Sequence, residues 1–224
     1  SDVGMTGFTD GSLGTDKDSV IKKLLFGVLK ALCIMLIIVG VWFYFNNIKG
    51  PKEQEAASQM HMAEIYLEND SINLALNGDG NYPGFLSIID SYSGTPAANN
   101  AKFYSAVCYM RTGQFDQAIK MLDGFSSSDP MIEPESIGLL GDAYMEKGDI
   151  AKAESLYKKA ADKADGNILL APIYLKKLAT AFEKEQKFAD ALSAYEKIKS
   201  NYPSSSEGSN AEKHIQDMKI KLAK

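Results

Sequence analysis

A pattern of small and bulky residues occurs three times in this chain, at intervals of 35 and 38 residues. The aligned positions are Ala106, Gly141 and Ala179, then Tyr109, Tyr144 and Phe182, then Ala118, Ala153 and Ala191. Small residues let two helix backbones approach closely, while larger side chains fill the space beside them. A period of this length indicates helix pairs, which bury their apolar faces only when several stack. We therefore predict an all-α solenoid.

Turn and stop signals agree with this period. Gly113 and Gly148 lie between the two predicted helices of the first and second repeats, where the chain needs a residue that tolerates positive φ. Pro130 and Pro203 follow the second helices of the first and third repeats, and proline ends a helix because it lacks the backbone donor. The spacing thus predicts three helix pairs between residues 99 and 203.

The flanking segments predict further helices. Residues 53–70 have helical character and residues 81–96 predict a divergent second helix, so together they predict a degenerate first repeat. Between them, residues 74–81 predict a longer loop than a standard repeat has. Residues 207–224 predict a closing helix with the polar outer face that an end repeat needs. The predicted inward positions of that helix are Ile215, Met218 and Leu222.

The period resembles the tetratricopeptide repeat, whose first helix carries a small residue and a tyrosine, and whose second carries an alanine, a bulky apolar residue and a final proline. The resemblance covers residues 99–203. The departures are Lys102, Ile137 and Leu175 at the tryptophan position of the first helix, Gln186 at a turn glycine and Asp165 at a terminal proline. The resemblance implies an α-solenoid that interacts with other proteins.

In arrays of this family the first helices of the repeats line a concave groove. The positions so implied for partner binding are Phe103, Val107, Met110, Arg111, Met145, Ile173 and Lys176, with Glu135, Gly138, Asp142, Glu146, Thr180, Glu183 and Lys184 on the same faces. Family members that clamp a C-terminal carboxylate carry asparagine or a basic residue where Phe103 and Val107 stand, so no such clamp is implied. Phe103 and the methionines offer an adaptable apolar surface. Alternatively, these side chains pack between helices.

An apolar run precedes the repeats. Residues 24–45 form a run of 22 residues that is interrupted only by the charge of Lys30. As a helix the run spans roughly 33 Å, enough for a hydrocarbon core of about 30 Å. Lys30 lies near the N-terminal end, from which its long stem reaches the headgroups, and an aromatic cluster marks the other end. The predicted anchor positions are Leu24, Lys30, Ile34, Ile38, Trp42 and Tyr44.

Lysines flank this run unequally. Those before or at its start are Lys17, Lys22, Lys23 and Lys30, and those after it are Lys49 and Lys52. This bias predicts a cytoplasmic N-terminus and a repeat domain on the opposite side of the membrane. A cleaved signal peptide is the alternative, but the run is longer than the apolar core of such peptides and no small-residue cleavage site follows it. The predicted organisation is a disordered tail over residues 1–16, the anchor with its flank over 17–48, and the repeat domain over 51–224.

Charge and motifs argue against nucleic-acid binding and catalysis. The net charge is -5 at pH 7, whereas nucleic-acid binders usually present a basic face. The sequence has no C-x-x-C, and His61 and His214 lie far apart along the chain. Residues 77–81 alternate oxygen ligands like the start of a calcium loop, but Ile88 stands where that loop needs a glutamate, so a turn is predicted. We expect no metal, no cofactor and no enzymatic activity.

The layout of a short inner tail, one span and an outward tetratricopeptide array is similar to the periplasmic YfgM-type family, an ancillary subunit of the bacterial Sec translocon. Residues 70–92 and 95–119 resemble the Bacteroidetes branch of such proteins. The resemblance implies a single-pass protein of the bacterial inner membrane with a periplasmic C-terminal domain. It also implies Sec translocon subunits and a membrane-tethered periplasmic chaperone of the prolyl-isomerase type as partners.

The function expected on these grounds is a non-enzymatic scaffold or chaperone adaptor that handles polypeptides emerging from the translocon. A second hypothesis with the same fold is a structural adaptor in another envelope assembly, secretion or division complex. Catalysis by Glu133 and Glu135 is a third hypothesis. The two residues bracket Pro134 at a predicted helix start, where acidic residues suit the helix dipole without any catalytic role.

Overall fold

The computed structural model describes residues 12–223, with side chains from residue 20 onward. Over this range the regular structure is helical, apart from one isolated bridge between Gly78 and Pro83. The helices are α1 Ser12–Tyr44, α2 Gly50–Glu68, α3 Ile72–Asn77, α4 Phe85–Ser91, α5 Pro96–Arg111, α6 Phe115–Asp123, α7 Ile132–Glu146, α8 Ile150–Lys163, α9 Leu170–Lys184, α10 Phe188–Asn201 and α11 Ser206–Leu222, with a π-helical turn at Phe45–Lys49. The chain divides into two compact units between Lys52 and Glu53.

The first unit contains α1 and the π-helical turn. By length and composition, Val20–Glu68 holds a window that is long and apolar enough to cross a membrane, and none of that window is buried. The predicted anchor side chains Leu24, Ile34, Ile38, Trp42 and Tyr44 are all exposed. Lys30 Nζ lies 4.4 Å from the centroid of the Phe26 ring. Residues 1–11 of the predicted tail lie outside the described residues. The rest of that segment, residues 12–16, belongs to α1, which begins at Ser12.

The second unit is a stack of helix pairs. Helix α5 packs on α6, α7 on α8 and α9 on α10, and each pair contacts the helix that follows it. The first helices α5, α7, α9 and α11 also contact one another in that order, whereas no such contact links α6, α8 and α10 within residues 53–223. The first helices therefore form an inner wall and the second helices an outer wall. This arrangement confirms the predicted all-α solenoid.

Small residues let the helices approach, as the repeat pattern predicts. The aligned alanines Ala106, Ala118, Ala153, Ala179 and Ala191 are fully buried. A Cβ added at Gly141 would lie 2.7 Å from Tyr157 Cε1, and one added at Gly138 would lie only 2.1 Å from Tyr174 Cε1. Both separations are shorter than any ordinary carbon contact. Gly141 therefore admits a side chain of α8, and Gly138 admits a side chain of the next first helix, α9.

The turns within the pairs use left-handed backbone. Gly113 and Gly148 have φ values of 71° and 82°, as their predicted turn positions require. Gln186 occupies the same turn of the third repeat with φ at 58°, although its Cβ disfavours that conformation. The third repeat therefore has the same turn geometry as the other two without a glycine at this position.

The N-terminal helices of the second unit share one core with α5. Ala56 and Met60 of α2 are buried in the same cluster as Phe85, Ile88 and other apolar side chains of α3 to α5. The Glu53 side chain accepts a hydrogen bond from the Ala97 backbone N–H at 3.0 Å. The degenerate first repeat is thus packed against the clear repeats.

The predicted loop at residues 74–81 is wrong in its first half, because α3 extends to Asn77. Ala75 and Leu76 of this short helix are buried, so tertiary packing stabilises a segment too short to be helical alone. The remaining residues turn around Asp79, which accepts hydrogen bonds from the Asn81 and Tyr82 N–H groups and from the Tyr66 hydroxyl. These bonds lower the pKa of Asp79.

The closing helix α11 differs from its prediction at one position. Ile215 and Met218 are buried as predicted, whereas Leu222 is 49% exposed. Leu222 is the last residue of α11, and no further repeat follows to cover it within the described residues.

Candidate protein-binding groove

The predicted groove residues of α5 have partners within the fold. Phe103 and Met110 pack in a cluster with Ala106, Leu122 and residues of α7, and the Phe103 ring centroid lies 5.4 Å from that of Phe125. Val107 is half-buried on the same helix. These contacts support the alternative in which the side chains pack between helices.

Arg111 at the end of α5 is paired rather than free. Its Nη1 lies 3.3 Å from Asp70 Oδ1, and both side chains are largely exposed. This ion pair connects α5 to the segment that follows α2. Exposed pairs of this kind contribute little to stability.

The structure brings the other three predicted residues together. Met145 of α7 and Ile173 and Lys176 of α9 line one pocket of about 320 Å³. Tyr157, Thr180 and Lys184 also line this pocket, and Glu207 of α11 lies at its edge. We call this pocket the α9 groove. It lies on the inner wall, where the family resemblance places a partner-binding surface.

Helix periodicity explains how α9 presents this face. Ile173, Lys176, Thr180 and Lys184 are spaced by three or four residues, so they form one stripe along the helix. The helix buries Leu175 and Leu178 on the opposite side, and the Asn167 side chain accepts hydrogen bonds from the Leu169 and Leu170 N–H groups at its start. The stripe therefore faces outward from a helix that is firmly held.

In the wall of the α9 groove, Tyr157 and Lys177 form a hydrogen-bonded triad with Asp142. The Tyr157 hydroxyl donates to Asp142 Oδ1 at 2.8 Å. Lys177 Nζ donates to Asp142 Oδ2 at 2.6 Å. Asp142 therefore links its own repeat, through Tyr157, to the first helix of the next repeat, through Lys177. Burial and the nearby Asp142 charge raise the pKa of Tyr157, so its hydroxyl stays protonated and donates.

A second triad repeats this arrangement one repeat further on. The Tyr195 hydroxyl donates to Glu183 Oε1 at 2.8 Å, and Lys221 Nζ donates to Glu183 Oε2 at 3.0 Å. Lys221 belongs to α11, so this triad fastens the closing helix. Burial and the hydrogen bond to Glu183 raise the pKa of Tyr195. The sequence signal for both triads is the tyrosine that replaces Leu122 in the aligned column of the second helices.

Replacing Asp142 by alanine tests whether the triad stabilises the array. The change leaves the Tyr157 hydroxyl and the Lys177 ammonium without their shared acceptor, so we expect the free energy of unfolding to fall by about 1 to 2 kcal/mol. Chemical denaturation of the full chain followed by circular dichroism measures this loss. Asp116→Ala is the matched control, because Asp116 also pairs with a lysine, Lys147, but at the exposed surface. Equal losses for the two variants would contradict the role of the triad.

A wider apolar pocket of about 610 Å³ adjoins the α9 groove and shares Ile173 and Glu207 with it. Ile168 and Leu169, at its edge, are 72% and 64% exposed. The sequence shows the residues around Ile168 only as an insertion that lengthens the connection to 38 residues. Two adjacent apolar residues in an otherwise polar connection are the sequence signal that could have indicated an exposed apolar patch.

Two family models, each described as a tetratricopeptide repeat, match residues 100–130 and 139–206. The matched segments are tetratricopeptide repeats. Both ranges lie in the stack of helix pairs, where the sequence resembles this repeat. The degenerate repeat over residues 53–96 lies outside the matched ranges.

Solved structures share the fold of this tetratricopeptide array. The TPR-like repeats of a protein described as a kinesin light chain from Podosopora anserina match with a TM-score of 0.58 and 16% identity, covering 76% of this chain and 88% of that chain. MamA protein matches with a TM-score of 0.55 and 15% identity, covering 75% and 88%. At such identities the likeness shows the fold alone. No curated protein matches the chain.

Proposed function

We propose that this protein is a non-enzymatic, membrane-anchored scaffold whose tetratricopeptide array binds other polypeptides beside a protein-conducting channel. One observation carries the proposal: the same chain holds an exposed apolar helix of spanning length and an array of a protein-interaction family. The helix needs an apolar environment, because otherwise its exposed side chains form a large patch in water. The array supplies the binding surface.

The lysine distribution supports one orientation of the anchor. Lysines are more numerous before the apolar run than after it, which favours a cytoplasmic N-terminus. The array then lies on the side of the membrane opposite to the N-terminus. In a bacterial inner membrane that side is the periplasm. Lys30 and the aromatic residues Trp42 and Tyr44 suit the two interfaces.

The resemblance to the YfgM-type layout supports the Sec translocon as the protein-conducting channel. Under this proposal the anchor contacts helices of the Sec translocon, and the array works with a membrane-tethered periplasmic chaperone on emerging polypeptides. The exposed side chains of α1, including Ile34 and Ile38, offer a surface for lateral contact within the membrane. The α9 groove offers a separate surface for the polypeptide.

Site-specific photo-crosslinking in intact membranes tests this function. A photoreactive residue at Ile34 or Ile38 is expected to crosslink to Sec channel subunits, and one at Ile173 to translocating polypeptides. The same residue at Lys159, exposed on the outer-wall helix α8, is the control and should give neither product. A carboxy-terminal phosphatase fusion checks the orientation and should be active.

Two outcomes contradict the proposal. Crosslinks from α1 to other envelope machinery, with none to the channel, would favour the adaptor of another envelope complex. An inactive phosphatase fusion together with an active cytoplasmic reporter would place the array on the wrong side of the membrane.

A further inference from the structure

The α9 groove is basic although the domain around it is acidic. Residues 51–224 carry 19 basic and 25 acidic side chains, a net charge of -6. The groove is lined by Lys176, Lys177 and Lys184, and Glu207 is its one acidic lining residue in the described part of the chain. A local surplus of positive charge on an acidic protein favours an acidic ligand.

Two of these lysines are available to a ligand. Lys177 is held by Asp142 at 2.6 Å, so its charge is already balanced. Lys176 Nζ lies 4.0 Å from Glu207 Oε1, the outer limit of an ion pair, and its side chain is 46% exposed. Lys184 has no ion-pair partner within residues 20–223. The free positive charge of the groove is therefore at Lys176 and Lys184.

The spacing of these lysines defines the ligand. They are eight residues apart on α9, which is about 12 Å along a helix. Two carboxylates separated by a similar distance can pair with both lysines at once. An extended chain advances about 3.3 Å per residue and returns to the same side every second residue. Two acidic side chains four residues apart, about 13 Å, therefore match the two lysines.

The groove also has an apolar end. Ile173 lies one turn before Lys176, on the side away from Lys184, and the adjoining pocket exposes Ile168 and Leu169. This surface lies about 5 to 10 Å beyond Lys176 along α9. An apolar side chain two residues beyond the first acidic residue of an extended ligand reaches it.

We infer that the α9 groove binds an extended internal segment of another protein, in which two acidic residues are spaced by four and an apolar residue stands two residues outside the pair. This inference rests on the proposed protein-binding function and names the class of segment bound. Lys176 and Lys184 contact the two carboxylates. Ile173 and Leu169 contact the apolar side chain.

Fluorescence anisotropy with the full chain in nanodiscs tests the inference. The probe is a labelled peptide with blocked termini that carries leucine, then glutamate two residues later, then glutamate four residues further on, and a second probe carries the same residues in reverse order. Replacing both glutamates by glutamine is expected to weaken binding about fivefold, since exposed ion pairs contribute modestly. Replacing leucine by serine is expected to weaken binding by a similar factor.

A charge exchange provides the matched control. Lys184→Glu should weaken binding of the glutamate peptide about fivefold and restore binding of a peptide whose second glutamate is lysine. Lys159→Glu, on the outer wall, changes the net charge equally and should leave both affinities unaltered.

Several results overturn the inference. One is equal affinity for the glutamate and glutamine peptides, and another is an equal effect of Lys159→Glu and Lys184→Glu. Tighter binding of a peptide with a free C-terminus and no internal glutamate would show a terminal-carboxylate site instead. Absence of binding by all peptides also overturns it. The crosslinking from α1 reports separately on the membrane scaffold, so the two proposals fail independently.

Discussion

Replacing Gly138 by leucine is expected to lower the free energy of unfolding of the array by about 3 kcal/mol. A Cβ at this position would lie 2.1 Å from Tyr174 Cε1, and Tyr174 is only 6% exposed. The ring has no solvent into which it can turn, so either α7 and α9 must separate or the side chains must adopt strained rotamers. Urea denaturation of the full chain, followed by circular dichroism, measures the loss.

The control for this prediction is the same substitution at Gly124. A Cβ there would lie 3.6 Å from the Lys102 side chain, an ordinary contact, and the residue is exposed after α6. Gly124→Leu should change the free energy of unfolding by no more than about 0.5 kcal/mol. An unchanged denaturation midpoint for Gly138→Leu would show that α7 and α9 do not approach through this glycine.

Replacing Phe85 by alanine is expected to cost about 3 to 5 kcal/mol, because it removes a large side chain from a closed site. The Phe85 ring is fully buried and stacks on Tyr104, with centroids 5.4 Å apart. Its cluster joins α2, α3, α4 and α5. The expected loss therefore tests whether the degenerate repeat, which neither family model covers, belongs to the folded array. Thermal and urea denaturation of the full chain measure it.

Tyr82→Ala is the matched aromatic control. Tyr82 lies three residues before Phe85 and is 48% exposed, so its loss should leave a much smaller effect. If the two variants lost similar stability, the cluster around Phe85 would not be a core, and the cooperative array would begin at α5.

The helix pairs could be predicted because packing requires small residues at fixed intervals. Ala106, Ala153 and Ala191 are visible in the sequence as columns, and each is fully buried in the structure. The close approach at Gly138 could not be predicted from those columns, because it depends on a ring from the next repeat. The helix α3 was missed because its six residues become helical only when Ala75 and Leu76 are buried.

The candidate site could be predicted in part. The family register placed Met145, Ile173 and Lys176 on one face, and the structure brings them to one groove. The same register also selected Phe103 and Met110, whose side chains the neighbouring helices cover. Whether a groove position is free depends on the residues of the next repeat, and that information is not local.

The tyrosines of the triads stand in an aligned column of the sequence, but their acidic and basic partners could not be predicted, because no local pattern connects them. Asp142 and Lys177 are 35 residues apart, and Glu183 and Lys221 are 38 residues apart. Each lysine comes from a helix beyond the next second helix of the stack, so only the packed array brings it to its acidic partner.

Because Asp142 holds a donor from the next helix pair and Glu183 holds one from the closing helix α11, the units from α7 onward are tied in series. Tension applied to α11 passes through Lys221 to α9, and from α9 through Lys177 to α7. A load on α11 would therefore be shared with α9 and α7 rather than carried by one helix alone.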